Sequence, residues 1–469
     1  MENFWDFSVW NELNLLSVLL ISLLGANLLK RSIKFLQASL IPTSVLAGVM
    51  LIIVAGIYKF CTGNVMFDTA FFGGNGTASL EIITYHALAL GFIASTFKTT
   101  DGKLTKKRSI EIFNTGVTTV STYLLQAIVG FGITIIATFV IKDFFAAAGV
   151  LLPFGYGQGT GQALNYGNIY ERDFGFDGGK SFGLTIAALG FISASVGGVI
   201  HLNYLKHKGK INVKKQAEGV YSSEQIQSEN EIPMQESIDK LTIQIALIAL
   251  AYFLAHVLMS VLGNLLPSMK SVIFGFNFLL GVLSVTIIKA IMSFLTKKKI
   301  IKKQYTNNFL MTRASNFFFD IMVVSGIAAI RLSVLEKYWG IMLILGVVGL
   351  VITYAYNYFV AKKLFPEYVE EQFLTMFGML TGTASTGIIL LREIDGEFKS
   401  PAADNLVYQN FPAIVFGFPI MLLATLAPQK PILTLILLFA FFVVMNIILF
   451  RSFIFKKREK KTQNSDNQD

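Results

Sequence analysis

Cysteine is almost absent from this chain. Of its 469 residues only Cys61 is one, so no intrachain disulfide can form and no zinc site can be built from thiolates. Charge is also scarce. Asp, Glu, Lys and Arg make up 14% of the sequence, where a soluble domain of this size carries about 25%. The four histidines, His86, His201, His207 and His256, include no pair at the helical spacing of a metal site. There is no Gly-x-x-x-x-Gly-Lys-Ser/Thr phosphate loop, which excludes a primary pump. His-Glu-x-x-His does not occur, which leaves a metalloenzyme without its ligands. The chain therefore reads as a non-enzyme without a cofactor.

What is present is apolar length. Hydrophobic residues make up 54% of the chain, gathered in stretches of about 20 that can each cross a hydrocarbon core as a helix. They do not alternate in polarity as barrel strands would. The pattern predicts an all-α polytopic membrane protein with spans near 8–29, 39–58, 82–97, 109–141, 181–203, 239–262, 271–294, 308–330, 338–361, 404–427 and 431–454. The net charge of +10 is not read as a nucleic-acid surface, because the basic residues flank these spans. Lys30, Arg31 and Lys34, then Lys98 to Arg108, then Lys297 to Lys303, then Lys456 to Lys461 fall on one side of the bilayer. Basic loops face the cytoplasm, which places the N-terminus outside and the C-terminus inside. Met1 to Trp10 has neither a basic start nor a small-residue cleavage site, so the first span reads as retained.

Residues 205–238 are polar and charged and read as a cytoplasmic linker with no core of its own. The linker divides the chain into residues 1–204 and 239–427, with an extra span and cytoplasmic tail in 428–469. Each half has four spans, a glycine-rich stretch and a fifth span, and the halves begin on opposite sides of the membrane. That order predicts two inverted-topology five-helix repeats, a design found in secondary transporters. One constant offset places Thr160-Gly161 over Thr386-Gly387 and Glu171 over Glu397.

The two glycine-rich stretches, near 145–168 and 372–391, carry the candidate site. In the first, Gly155, Gly157, Gly159 and Gly161 alternate with other residues. At about 1 kcal/mol each relative to Ala, they predict poor helix, and non-helical backbone at membrane depth must line protein or a wet cavity. Both stretches are therefore expected to be re-entrant hairpins, entering from opposite faces. Free N–H groups at helix starts there can hold a carboxylate, while carbonyls and hydroxyls can coordinate a bare cation. The substrate-binding candidates are Gly157, Gln158, Gly159, Thr160, Gly161, Asn165, Thr383, Ser385, Thr386, Gly387 and Arg392. Sodium, which takes oxygen ligands, is assigned to Thr381, Thr383, Ser385 and Asp320. Within the spans, Lys289 is placed to snorkel to the interface, and Arg313 and Asp320 lie two turns apart on nearly one helix face. Hairpins from opposite faces also build channels, which keeps a channel as the alternative to a carrier.

Gly157-Gln158-Gly159-Thr160-Gly161 followed by Tyr170-Glu171-Arg172-Asp173-Phe174-Gly175-Phe176 resembles the first hairpin, and its exit, of the bacterial sodium/glutamate symporter family. Phe35 to Pro42 resembles the segment joining that family's first two helices, and Leu88 to Ala94 resembles its third helix. The likeness in layout runs over about residues 8–427. It departs at Gln158, where the family often has His, at the Thr/Ser-rich second stretch, at the long linker and at the last span. The resemblance implies a homodimer in the bacterial plasma membrane. It implies inward symport of L-glutamate, or a related small carboxylate, with sodium as the coupling ion, by an elevator-like motion. The related 2-hydroxycarboxylate carriers share this architecture, so citrate and malate stand as alternative substrates.

Overall fold

A computed structural model describes residues 3–38, 40–98, 105–209, 226–227, 231–234, 238–267, 270–275, 277–395 and 399–454. The first half holds α1 (Phe7–Ser32), α2 (Lys34–Ala38), α3 (Thr43–Thr62), α4 (Gly76–Phe97), α5 (Lys106–Ala137), α6 (Leu151–Phe174) and α7 (Gly179–His207). The second holds α8 (Lys240–Leu265), α9 (Lys270–Gly275), α10 (Asn277–Lys297), α11 (Asn308–Ala328), α12 (Leu332–Leu364), α13 (Val369–Thr381), α14 (Ala384–Arg392), α15 (Ala402–Tyr408) and α16 (Asn410–Leu426), and α17 (Pro431–Leu449) follows. No strand occurs among the described residues, and the fold is that of a polytopic all-α membrane protein.

All eleven apolar segments are helical. Among the described residues, nine helices are long and apolar enough to cross a membrane, and the bent pair α15–α16 makes a tenth candidate. The exception is α11, whose apolar run is interrupted by Asn308, Thr312, Arg313, Asn316 and Asp320. Large apolar side chains stand outward on the long helices, as with Leu24, Ile57, Phe253, Val347 and Phe439. In water such faces would be a liability, whereas lipid is as apolar as leucine and leaves them at rest.

Local chemistry fixes several helix starts. The Thr105 side chain accepts from Arg108 N at α5, Asp239 from Leu241 N at α8, and Asn307 from Leu310 N at α11, each satisfying one of the orphan donors of a first turn. Lys289 is held against the end of a neighbouring helix. Its ammonium donates to the carbonyls of Thr96 and Lys98, at 3.1 and 2.9 Å, so it caps the C-terminal end of α4, where a cation is favoured.

The polar segment read as a linker is not wholly unpacked. Most of it lies outside the described residues, but Glu231 and Ile232 are buried. Glu231 accepts from Lys240 Nζ at 2.7 Å and Asn307 Nδ2 at 2.6 Å. Ile232 N donates to Gln304 O at 3.1 Å. Composition missed this anchor because it consists of one fully buried ion pair, Glu231–Lys240, and not of an apolar core.

The helices group into two compact units. One comprises residues 1–103, 160–173 and 215–336, and the other residues 104–159, 174–214 and 337–469. In the first, α4 packs on α11, α10 and α8, and α3 on α11 and α1. Small residues bring these helices close. A side chain on Gly91 would run into the Phe319 ring, and one on Gly48 into Ile327. In the second, α5 packs on α16 and α17, and α7 on α13. The last helix, α17, is thus an integral wall of its unit. Tyr356 OH donates to Asn446 Oδ1 at 2.8 Å, and Arg451 donates to Asn114 Oδ1 at 3.0 Å.

Candidate functional site

The first glycine-rich stretch is more helical than its composition predicts. Residues Leu151–Phe174 follow a helical path with one non-helical residue, Gly159, at φ 78° and ψ −171°, a backbone region essentially closed to other residues. The other glycines serve close packing. A side chain on Gly155 would meet the backbone of Ala187, and one on Gly157 the ring of Tyr123. Tyr123 OH donates to Gly157 O at 3.0 Å. These contacts outweigh a propensity loss of about 1 kcal/mol per glycine, which is why glycine-rich sequence forms helix on either side of the kink at Gly159.

The division between the units falls at this break. Gly157, Gln158 and Gly159 belong to the second unit, and Thr160, Gly161 and Asn165 to the first. Gln158 is half-buried. In the first unit Thr160 is buried and its hydroxyl donates to Met322 O at 3.3 Å. Gly161 lies against Leu88, and Asn165 Nδ2 donates to Gly275 O at 3.1 Å. Asp320, in the same unit, is exposed and bonds the Ser44 side chain on α3. Arg313 lies over the Phe309 ring at 5.1 Å.

The second stretch is a helix–turn–helix. The 13-residue α13 ends at Gly382 and the 9-residue α14 starts after Thr383. At 1.5 Å per residue they run roughly 20 and 14 Å, each short of the ~30 Å hydrocarbon core. The two arms fold back on each other. A side chain on Gly378 would strike the backbone of Gly387, and one on Gly387 the carbonyl of Thr375. Every residue of α13 from Gln372 to Thr381 is buried. Thr381 donates its hydroxyl to Phe377 O at 2.6 Å. Thr383 and Thr386 hydroxyls lie 3.4 Å apart, and no side chain caps the start of α14. Ser385 stands in α14, its side chain outside those described. Arg392 closes α14 and is exposed. It lies six residues past Thr386, roughly 9 Å along the axis, so the structure does not bring it to the turn.

Behind α13 runs a polar seam that the sequence reading missed. On α5, Thr115 accepts from Gln372 Nε2 at 3.2 Å, Thr119 donates to Gln409 Oε1 at 2.9 Å, and Gln126 Nε2 donates to Leu380 O at 2.9 Å. Asn405 Nδ2 donates to Gln372 Oε1 at 3.1 Å. The signal was available in the spacing Thr115, Thr119, Thr122, Gln126, one face of a helix, but it was submerged in an apolar run. Several of these threonines also bond the carbonyl four residues back, which lets hydroxyls sit in a buried helix with their protons satisfied.

Among the described residues no group of three or more His, Cys, Asp or Glu could hold a metal ion. Carbonyls, amides and hydroxyls are the more plentiful oxygen donors here, and they suit a hard ion.

No curated protein matches the chain in sequence. The family model described as sodium/glutamate symporter matches residues 8–372, from the first span to the buried start of α13. With that match over most of its length, and with a polytopic fold of long apolar helices, the chain belongs to the sodium/glutamate symporter family, a family of membrane transporters.

Proposed function

We propose that the protein carries L-glutamate, or a closely related small carboxylate, into the cell together with sodium, by elevator-like alternating access. The observation that carries this reading is the α13–α14 turn. There a buried helix end and an uncapped helix start meet in two arms too short to cross a bilayer. The start of α14 favours a carboxylate, and the end of α13 favours a cation. Thr383, Ser385, Thr386 and Gly387 are the substrate contacts in this element, with Gly157 to Gly161 and Asn165 in the other. Thr381, Thr383 and Ser385 offer sodium their oxygens, and Asp320 is a further candidate. Arg392, remote from the turn, is the weakest of the substrate contacts.

The inverted repeat gains support from the way the chain divides. Each half gives its first three long helices (α1, α3 and α4, or α8, α10 and α11) to one unit. Each gives most of the rest to the other. Both halves place a broken helical element between their fourth and fifth spans. On this reading the N-terminus is outside, the C-terminus is cytoplasmic, and the protein works as a homodimer in a bacterial plasma membrane.

The family match stops at residue 372, so Thr381 to Arg392 lie beyond it. Citrate and malate therefore belong in the test. Purified protein in proteoliposomes is given radiolabelled L-glutamate under an inward sodium gradient, with a potassium control. Aspartate, citrate and malate are the competitors. Sodium-dependent accumulation blocked best by unlabelled glutamate is the expected result. Accumulation blocked best by citrate or malate would move the substrate to hydroxycarboxylates. No accumulation of any of these would refute the proposal.

A further inference from the structure

A bonded cluster of buried side chains in the second unit joins α5 to α12. Gln126 Nε2 donates to Thr353 Oγ1 at 2.8 Å and to Leu380 O at 2.9 Å. Asn357 Nδ2 donates to Thr353 O at 2.9 Å and to Thr122 Oγ1 at 3.4 Å. Thr122 and Gln126 stand four residues apart on one face of α5, as Thr353 and Asn357 do on α12. Gln126, Thr122 and Thr353 are 0% exposed and Asn357 is 2% exposed.

The chemistry of this cluster is lopsided. The carbonyls of Leu380 and Thr353 can only accept, so they fix which end of each amide is nitrogen. The opposite ends, Gln126 Oε1 and Asn357 Oδ1, are buried and have no hydrogen-bond partner among the described residues. A buried amide oxygen left bare is strongly disfavoured, and here two occur in one bonded cluster. Leu380 lies in the last turn of α13, where the helix presents its negative end. The cluster thus has an excess of acceptors and lacks positive charge.

We propose that Gln126, Asn357, Thr353 and Thr122 form a binding site for a dehydrated monovalent cation. On the symport reading, upon which this inference rests, that cation is sodium. Amide and hydroxyl oxygens replace the hydration shell of a hard cation. A neutral ligand set binds a single charge weakly enough to let it go, as a transport cycle requires. Gln126 bonds directly to the carbonyl preceding Thr381. Filling the site therefore orders the end of α13 and the turn beyond it, so that sodium precedes substrate.

The test uses the purified full-length protein without substrate. Thermal unfolding is followed as sodium chloride replaces choline chloride at constant ionic strength. The wild type should be stabilised saturably by sodium. Gln126→Leu and Asn357→Leu should each raise the half-saturating sodium concentration by about tenfold or more, the equivalent of one lost contact to a charge. Gln126→Glu, which keeps an oxygen, should still respond saturably. If the leucine variants do not fold, Thr353→Val, which lacks only a hydroxyl, should show the same rightward shift. Wild-type sodium response in the leucine variants, or in Thr353→Val where those do not fold, would overturn the site and leave symport standing. A wild type indifferent to sodium in both stability and uptake would overturn the symport reading along with it.

Discussion

Gly378 and Gly387 face each other across the α13–α14 turn so closely that a Cβ on Gly378 would sit 2.8 Å from the Cα of Gly387. This pair lets two helices in one short element press together along their backbones. Gly378→Val should lower stability by about 1–3 kcal/mol, the usual penalty for overpacking, and should abolish uptake. Trimming the neighbour with Leu390→Ala should not rescue it, because the obstacle is backbone and not the flexible side chain. Thermal unfolding in detergent, read beside uptake, checks this, and full rescue by Leu390→Ala would contradict the packing described.

Gly157 and Gly159 are needed for different reasons, and a second-site experiment separates them. Gly157→Ala collides with the Tyr123 ring, so Tyr123→Leu should partly restore its stability even though it removes the bond to Gly157 O. Gly159→Ala is strained by its φ of 78°, at a cost of about 1–3 kcal/mol. No neighbour's substitution should relieve it. Equal response of both glycine variants to Tyr123→Leu would show that the distinction is wrong.

Thr386 is buried, with its hydroxyl facing that of Thr383. Thr386→Val keeps the shape and loses the oxygen. Expression and unfolding midpoint should change little, while sodium-dependent uptake should be lost. Normal uptake in this variant would remove the α14 start from the site.

Glu231 and Lys240 form a buried pair, with side-chain exposures of 8% and 1%. Lys240→Met alone leaves a carboxylate uncompensated, and breaking a buried pair from one side costs about 3–5 kcal/mol. Adding Glu231→Gln should recover much of that loss, since the amide can still accept from Asn307. Unfolding midpoints of the two singles and the double decide the matter; additive losses would mean that the charges do not interact.

The last helix can be tested by truncation after Lys430. Leu438, Met445 and Leu449 are each 1% exposed. In a bilayer their removal forfeits packing and interhelical bonds more than hydrophobic burial. The truncated protein should insert but unfold at a lower temperature. Arg451→Ala, which loses the bond to Asn114, should cost about 1 kcal/mol. An unchanged midpoint in both would make α17 a passenger.

The spans were legible in the sequence because lipid imposes one demand, apolar length, and long runs such as Pro431–Leu449 meet it without ambiguity. The candidate site was legible only in part. The Thr381–Gly387 region was found by its small and hydroxylated residues, and its turn is there. The break at Gly159 falls within the stretch read as poor helix, but the helical arms on either side of it were not foreseen, because propensity says nothing of the Tyr123 ring that waits beside Gly157. Gln126 and Asn357 were missed because each is a single amide inside a long apolar helix. Their significance lies in partners more than 200 residues away in the chain. The anchored end of the linker was missed for the opposite reason, since polar composition hid a buried charge pair.

That anchor bears on how the chain enters the membrane. Lys240 opens the first span of the second half, and Asn307, which shares the Glu231 carboxylate with it, comes two spans later. While α8 is being inserted, the full network around Lys240 cannot yet exist. At that stage its ammonium counts among the flanking cations that bias which side of the membrane a segment's end takes. Once the region before α11 arrives, the same charge is buried against Glu231. A signal that helps orient the nascent chain is thereby erased from the surface of the finished protein.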